Sequence, residues 1–247
     1  MRALSMLLFA LLFLLVLILA SLATLGFGWL LPLRKRMAII HATEKAISLL
    51  LRLLVGIRVE VHYADRRALE QYRAQQRPLL VVANHQSRWE TFYLQGLFKP
   101  LVTVLKRELL HMPLLGWALA CYWPVALDRA KAISSIKKVE RDGVMRLKAG
   151  YNLLIFPQAT RVLPGEPGYI SGGAARLAIR SNAVLVPVVH NAGQYWFGRR
   201  LALKPGVIRV DVGEPLDCAN KNQQEVFDYF RTFFREHIAR QTISANA

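Results

Sequence analysis

The N-terminal segment has no charged residue between Ala3 and Leu33 and is dominated by leucine. A helix needs about 20 apolar residues to cross the hydrocarbon core of a bilayer, so this segment is long enough to span one. A cleaved signal peptide is the alternative, but its apolar region usually runs only about 7–15 residues. We therefore predict a retained transmembrane anchor over residues 1–33.

The charges that flank this segment are asymmetric. Three basic residues, Arg34, Lys35 and Arg36, follow it directly, whereas only Arg2 and the terminal amine precede it. Basic residues next to a membrane span stay on the cytoplasmic side. This predicts a membrane protein whose globular part faces the cytoplasm.

A second apolar stretch, Met37–Gly56, is interrupted by Glu44, Lys45 and Arg52. Such a pattern is typical of an amphipathic helix lying on the membrane surface, which we assign to residues 34–57. A helix packed on the core of the following domain fits the pattern equally well.

Composition restricts the class of protein and of partner. Apolar residues make up 54% of the 247 residues, so a disordered chain is not expected. The net charge of +17 indicates an anionic partner, such as nucleic acid, anionic lipid or a phosphorylated substrate. The basic residues are dispersed and form no nucleic-acid recognition motif, so we expect membrane phospholipid rather than nucleic acid. The two cysteines, Cys121 and Cys218, form no metal-binding pattern.

Short β-like runs alternate with helical stretches after residue 57, which predicts one α/β domain over residues 58–247 with a mixed, mainly parallel sheet flanked by helices. The predicted strands are Arg58–His62, Leu79–Ala83, Leu101–Leu105, Leu153–Phe156, Val184–Val189 and Val207–Val212. The predicted helices are Trp89–Phe98, Leu109–Ala120, Ala132–Ala149, Gly173–Ser181 and Gln223–Arg240.

One histidine stands in a setting that suits acid–base chemistry. His85 follows the predicted strand Leu79–Ala83, and Glu90 comes five residues later. If a helix begins near Ser87, its first turn brings Glu90 back towards His85. A carboxylate that accepts from one imidazole nitrogen leaves the other as a base, which could take a proton from an alcohol. A purely structural histidine at a strand end is the alternative.

Polar residues follow two further predicted strands, and in α/β folds chemistry gathers at such ends. Lys106, after Leu101–Leu105, could hold a phosphate, although a solvated Lys-Arg pair is an equally ordinary reading. The other cluster, 157–161, follows Leu153–Phe156.

These clusters resemble the sequence blocks of the glycerolipid acyltransferases, the family of lysophosphatidic acid acyltransferases. Asn84-His85-x4-Glu90 resembles the His-x4-Asp motif, in the form with Glu that a bacterial branch uses. Leu105–Leu109 followed by Pro113-x-x-Gly116 resembles the second block, Phe156–Arg161 resembles the third block, Phe-Pro-Glu-Gly-Thr-Arg, and Val186–Val188 resembles the fourth. The resemblance covers roughly residues 58–216.

The resemblance implies transfer of a fatty acyl chain from acyl-CoA or acyl carrier protein to the hydroxyl of lysophosphatidic acid, which gives phosphatidic acid without a metal or prosthetic group. It implies His85 as the general base with Glu90 as its orienting partner. Substrate binding would fall to the residues at the remaining matched positions, which are Asn84, Lys106, Gln158, Thr160 and Arg161.

The third block departs from the family pattern at two positions. Gln158 keeps a hydrogen-bonding carbonyl but lacks the charge of the family's Glu. Ala159 adds a β-carbon where the family's Gly suggests a backbone with positive φ. These departures leave two other readings open, an acyltransferase for another lysolipid and a non-catalytic, membrane-bound phospholipid-binding protein.

Overall fold

The computed structural model describes residues 2–128, 132–197 and 203–246. Over these residues the chain forms an α/β fold with eight strands in one sheet. The strands are β1 Ile57–Tyr63, β2 Leu79–Ala83, β3 Leu101–Lys106, β4 Val125–Leu127, β5 Asn152–Ile155, β6 Val184–His190, β7 Gly206–Val212 and β8 Leu216–Asp217. The helices are α1 Arg2–Gly26, α2 Leu33–Leu50, α3 Arg66–Ala74, α4 Trp89–Leu97, α5 Leu115–Ala120, α6 Ala132–Lys148, α7 Gly173–Ser181 and α8 Gln223–Asn246.

The sheet is mixed and mainly parallel, which confirms the predicted fold class. Its strand order is β1-β7-β6-β2-β5-β3-β4, with β8 paired to β6 beside this path. All neighbours run parallel except β6 with β7 and β6 with β8. All five residues of β2 are buried, as expected for a central strand that is covered by helices on both faces.

The predicted elements differ from the observed ones at two short strands and two helices. The six predicted strands begin and end within one residue of those observed, but the short strands β4 and β8 were not predicted. Helix α3 was also missed, although Asp65 caps it by accepting the N–H of Ala68 at 2.9 Å. The single helix predicted over Leu109–Ala120 was wrong, because Pro113 and a positive φ at Leu114 separate a 3₁₀ turn from α5.

Alternate residues of the strands face two hydrophobic cores, one on each face of the sheet. Leu79 and Val81 of β2 face a core that contains side chains of α1, α3 and α4. Leu80 and Val82 face the other core, which contains side chains of α6, α7 and α8. The two faces of the sheet are therefore covered by different helices, with α1 on the face opposite α7 and α8.

Helix α2 runs on into a π-helical turn, Leu51–Val55, and contributes to both cores. Ile47 and Leu51 are buried in the α1 core, whereas Met37 is buried in the α8 core. The burial of these side chains agrees with the second interpretation of residues 34–57, a helix packed on the core of the domain.

Helix α1 is long and apolar enough to cross a membrane. It also packs against the domain, both in its N-terminal half and near its C-terminal end. The rings of Phe9 and Phe13 lie edge-on to Trp196, at centroid distances of 5.9 and 5.6 Å. Near the other end, the hydroxyl oxygens of Thr24 and Tyr122 are 2.6 Å apart. Its other side carries exposed leucines, so α1 presents one face to the domain and one to its surroundings.

Of the three basic residues at positions 34–36, Arg36 forms hydrogen bonds within the fold. The Arg36 guanidinium donates to the carbonyls of Gly28, Trp29 and Leu31, each at 2.8 Å, and also to Cys121. These bonds hold the turn between α1 and α2, so Arg36 has a structural role in addition to its charge.

The packing of α1 predicts a difference between its two faces. Phe9→Ala should destabilise the fold by about 3 kcal/mol, because a fully buried ring beside Trp196 is lost and a cavity remains. Leu11→Ala is the matched control, since Leu11 is 58% exposed, and it should change stability by less than about 0.5 kcal/mol. Thermal unfolding in detergent measures both. Equal unfolding temperatures for the two variants would contradict the packing.

Candidate active site

The site lies at the edge of the sheet where three parallel strands end. Strand β5 lies between β2 and β3, and all three run in the same direction. Their carboxyl ends, and the polar residues that follow them, therefore meet at one edge. Residues 84–90 follow β2, 156–161 follow β5, and Lys106 ends β3.

The structure brings His85 and Glu90 into direct contact. His85 Nδ1 lies 2.8 Å from Glu90 Oε1, and the Glu90 side chain is completely buried. Because a carboxylate only accepts, Nδ1 carries the proton and the neutral ring presents Nε2 as its basic nitrogen. The ring of His85 stacks on that of Phe156 at a centroid distance of 4.3 Å, which restricts its orientation further.

Glu90 also caps the N-terminal end of α4. Its Oε1 accepts the backbone N–H groups of Gln86 at 3.0 Å and of Ser87 at 2.8 Å. The Ser87 hydroxyl in turn accepts the N–H of Trp89 at 3.1 Å. This is a capping-box arrangement, Ser-x-x-Glu, in which two side chains satisfy backbone donors at a helix start. One carboxylate oxygen thus holds both the helix end and the imidazole.

The pKa of Glu90 reflects opposing influences. Burial by itself would raise it, but the imidazoles of His190 and His85 and the Ser87 N–H outweigh burial and lower the pKa of Glu90 below its usual value. Burial lowers the pKa of His190, against the attraction of Glu90. The lowered pKa of Glu90 keeps it ionised, as an acceptor for the Nδ1 proton of His85 requires.

Gln158 joins the loop after β5 to His85. Its side-chain oxygen accepts the backbone N–H of His85 at 2.7 Å, and its side-chain nitrogen donates to the Pro167 carbonyl at 2.6 Å. The Val162 N–H donates to the His85 carbonyl at 2.9 Å, so both backbone groups of His85 are held by this loop. Gln158 is only 4% exposed and acts here as a support for His85.

The rest of this loop reaches the surface next to the pair. Arg161 Nε donates to the Ser87 carbonyl at 3.1 Å, which fixes the guanidinium beside the start of α4. Thr160 is exposed on the same loop. Ala159 has φ of 56°, which confirms the prediction of a positive φ at this position.

Lys106 and Asn84, both predicted to bind substrate, have their side-chain contacts away from the His85–Glu90 pair. Lys106 is two strands away from β2, or about 10 Å at ordinary strand spacing, and its Nζ lies 3.2 Å from Glu108 Oε1. Asn84 is fully buried, and its amide exchanges two hydrogen bonds with the backbone of His190, at 2.8 and 2.9 Å. In this arrangement Asn84 joins β2 to β6, and its side chain is not presented to a substrate.

Several residues that shape the site were not predicted for that role. His190 comes two residues after the fourth block, and its Nε2 lies 4.0 Å from Glu90 Oε2 and 2.9 Å from the Asn84 carbonyl oxygen. The capping box was readable from the spacing of Ser87 and Glu90. No local signal pointed to Phe156, because its contact with His85 joins two separate strands.

The contacts of Gln158 predict the effect of restoring the family's Glu. In Gln158→Glu an oxygen replaces the nitrogen that donates to the Pro167 carbonyl, so two acceptors face each other in a buried place. We expect a loss of about 1–3 kcal/mol of stability at neutral pH. Because this environment raises the pKa of the introduced carboxyl, stability should recover as the pH falls and the carboxyl is protonated.

Thermal unfolding at several pH values measures this change. Gln71→Glu, on the exposed surface of α3, is the control and should show little change. An unfolding temperature for Gln158→Glu that equals the parent value at pH 8 would contradict the arrangement.

Comparison with known proteins identifies the family of this chain. The protein-family profile described as Acyltransferase matches residues 58–191, more than half of the 247-residue chain. The 1-acyl-sn-glycerol-3-phosphate acyltransferase of Pseudomonas aeruginosa is 40% identical over 177 residues, which cover 72% of this chain and 66% of the relative. The enzyme of the same name from Saccharomyces cerevisiae is 27% identical over 192 residues, covering 76% and 61%. The chain thus spans less than two thirds of the length of these relatives.

A solved structure shares the whole fold. The crystal structure of the 1-acyl-sn-glycerophosphate (LPA) acyltransferase PlsC from Thermotoga maritima superposes with a TM-score of 0.71 at 21% identity, and the match covers 100% of this chain and 98% of that one. At this identity the likeness concerns the fold. Taken with the family match over residues 58–191, it leads to one conclusion: the chain belongs to the acyltransferase family.

Proposed function

We propose that this protein is a membrane-associated lysophosphatidic acid acyltransferase, with His85 as the general base and Glu90 as the residue that positions it. The observation that carries the proposal is the 2.8 Å contact between His85 Nδ1 and the buried Glu90 carboxylate, at a sheet edge within the residues that match the acyltransferase family. The names of the relatives support the choice of substrate.

The proposed reaction uses Nε2 of His85. It removes the proton from the acceptor hydroxyl as the oxygen attacks the thioester carbonyl carbon, and Glu90 stabilises the imidazolium that forms. The new C–O bond forms, the C–S bond breaks, and the imidazolium returns the proton to the departing thiolate. Phosphatidic acid and a free thiol are the products.

The acceptor phosphate is assigned to the cations at the sheet edge. Arg161 is held beside the start of α4, close to the His85–Glu90 pair. A guanidinium suits this task because it can bind a phosphate through two parallel hydrogen bonds. Lys106, at the end of β3, is a more distant candidate whose ion pair with Glu108 is exposed and so easily exchanged.

The apolar surface of α1 supports a membrane location for the substrate. A lysophospholipid resides in a bilayer, and the exposed leucines of α1 suit insertion into one. Because α1 also packs on the domain through Phe9 and Thr24, its insertion would bring the domain against the membrane surface. We assign that surface to the cytoplasmic face of a bacterial inner membrane, in line with the basic residues after α1.

The departures from the family pattern do not break the proposed site. Gln158 still accepts the His85 N–H, and Ala159 adopts the positive φ that the loop requires. These contacts favour an enzyme over a protein that only binds phospholipid. Assaying membranes with labelled acyl donors and several lysolipids separates lysophosphatidic acid from other acceptors, and the absence of transfer to every one of them would favour the binding protein.

The His85–Glu90 pair predicts a graded set of losses. His85→Ala should lower kcat by about 10²–10⁴-fold, because a positioned base contributes that much. Glu90→Gln should cost less, since the amide keeps a hydrogen bond but can hold the wrong tautomer. Glu90→Asp withdraws the carboxylate by about 1.5 Å, one carbon–carbon bond, so it should also slow the reaction even though most of the family uses Asp.

His62→Ala, on the exposed surface of β1, is the control and should keep full activity. Unfolding temperatures distinguish lost chemistry from lost folding, above all for Glu90, which also caps α4. Normal turnover by a folded His85→Ala protein would remove His85 from the mechanism.

The placement of Arg161 predicts a defect specific to the acceptor phosphate. Arg161→Ala should raise the KM for lysophosphatidic acid about 10- to 100-fold, which corresponds to a lost charged hydrogen bond of about 1.5–3 kcal/mol. The KM for the acyl donor, and for a monoacylglycerol that lacks the phosphate, should change little. Arg58→Ala, on an edge strand of the sheet, is the charge-matched control. A KM for lysophosphatidic acid equal to that of the parent would exclude Arg161 from the acceptor site.

A further inference from the structure

A recessed cleft lies between the start of α7 and the first half of α8, outside the site described above. Its volume is about 550 Å³, within the usual size of small-molecule sites. Three arginines line it, Arg176 from α7 and Arg231 and Arg235 from α8. The aromatic rings of Tyr169, which is 80% exposed, and Phe227 line it as well.

The charge of this cleft is positive. Arg231 forms an ion pair with Asp228 and lies 5.0 Å above the Phe227 ring, so its charge is partly neutralised. Among the residues that the structure describes, Arg176 and Arg235 form no ion pair with an acidic side chain. Guanidinium groups bind phosphates, and aromatic rings stack on a nucleobase. The cleft therefore offers contacts for both parts of a nucleotide.

The position of the cleft favours a ligand from the aqueous phase. Helices α7 and α8 cover the face of the sheet opposite α1. Since α1 is the segment that suits a bilayer, a lipid headgroup would meet the other face of the molecule. A phosphorylated, water-soluble ligand fits the cleft better.

The cleft is linked to His85 through a single side chain. Pro167, in the wall of the cleft, accepts the hydrogen bond from Gln158, and Gln158 accepts the backbone N–H of His85. The loop that carries Gln158 and Pro167 thus contributes both to the wall of the cleft and to the support of His85.

We propose that this cleft binds the nucleotide end of a coenzyme A thioester, with the phosphates on Arg176 and Arg235 and the adenine against Tyr169 or Phe227. The pantetheine arm then carries the thioester to His85 from the side opposite α1, while the lysophospholipid arrives from the membrane. The inference rests on the acyltransferase function proposed above and names its acyl donor.

The test compares donors with and without the nucleotide. The double variant Arg176→Ser, Arg235→Ser should raise the KM for palmitoyl-CoA about tenfold or more, the effect of losing at least one charged contact. Its KM for palmitoyl-pantetheine, which has no nucleotide, and for lysophosphatidic acid should stay the same. Arg180→Ser on α7 and Arg240→Ser on α8 remove equal charge outside the cleft and should leave all three values unchanged.

Binding of free coenzyme A, measured by calorimetry on the full-length protein in detergent, gives a readout that does not require catalysis. The parent protein should bind and the double variant should bind about tenfold more weakly or worse. If the parent binds coenzyme A in this way but transfers no acyl group, the proposed function fails while the cleft assignment holds.

Three results would overturn the assignment. Equal coenzyme A affinity in the parent and the double variant would show that the nucleotide binds elsewhere. A raised KM for lysophosphatidic acid alone would make the cleft part of the acceptor site. A raised KM for palmitoyl-acyl carrier protein, with coenzyme A binding unchanged, would make it a contact for the acidic carrier protein. Arg235→Ser alone, at an exposed position, serves if the double variant does not fold.

Discussion

The arrangement of the site depends on one buried charge, the carboxylate of Glu90. A buried carboxylate is unfavourable unless hydrogen-bond donors surround it, and here His85 Nδ1 and the N–H groups of Gln86 and Ser87 all meet Oε1. These contacts determine where α4 begins, how residues 84–87 turn and how the imidazole is oriented. Stability and the proposed chemistry are therefore tied to the same atom, since a change that disturbs Oε1 disturbs both.

The two faces of the sheet suggest a division between the two substrates. One face carries α1, whose exposed leucines suit a bilayer, and the other carries α7 and α8 with the arginine-lined cleft. The proposed base lies at the strand ends between them. An enzyme that joins a lipid acceptor to a soluble donor has reason to admit each from its own side, and the loop after β5 contributes to both sites through Gln158 and Pro167.

Much of the fold followed from patterns along the chain. The strand runs predicted the sheet because short, largely apolar stretches of four to six residues between polar turns are typical of buried strands. The segment Leu109–Ala120 was assigned wrongly because its apolar content suits a helix whether or not Pro113 interrupts it. Helix α3 was missed because it is mostly polar, and its capping residue Asp65 was the only local signal.

The sequence by itself determined the apolarity of α1, the order of the strands along the chain, and the five-residue spacing of His85 and Glu90. These are local properties, decided by periodicity and by the reach of one helical turn. Only the tertiary structure decided that Asn84 binds the backbone of His190, 106 residues away, and that Gln158 supports His85. The tertiary structure also places Arg176 and Arg235 in the wall of one cleft. Such contacts join distant parts of the chain, and no local pattern encodes which partner a buried polar group will meet.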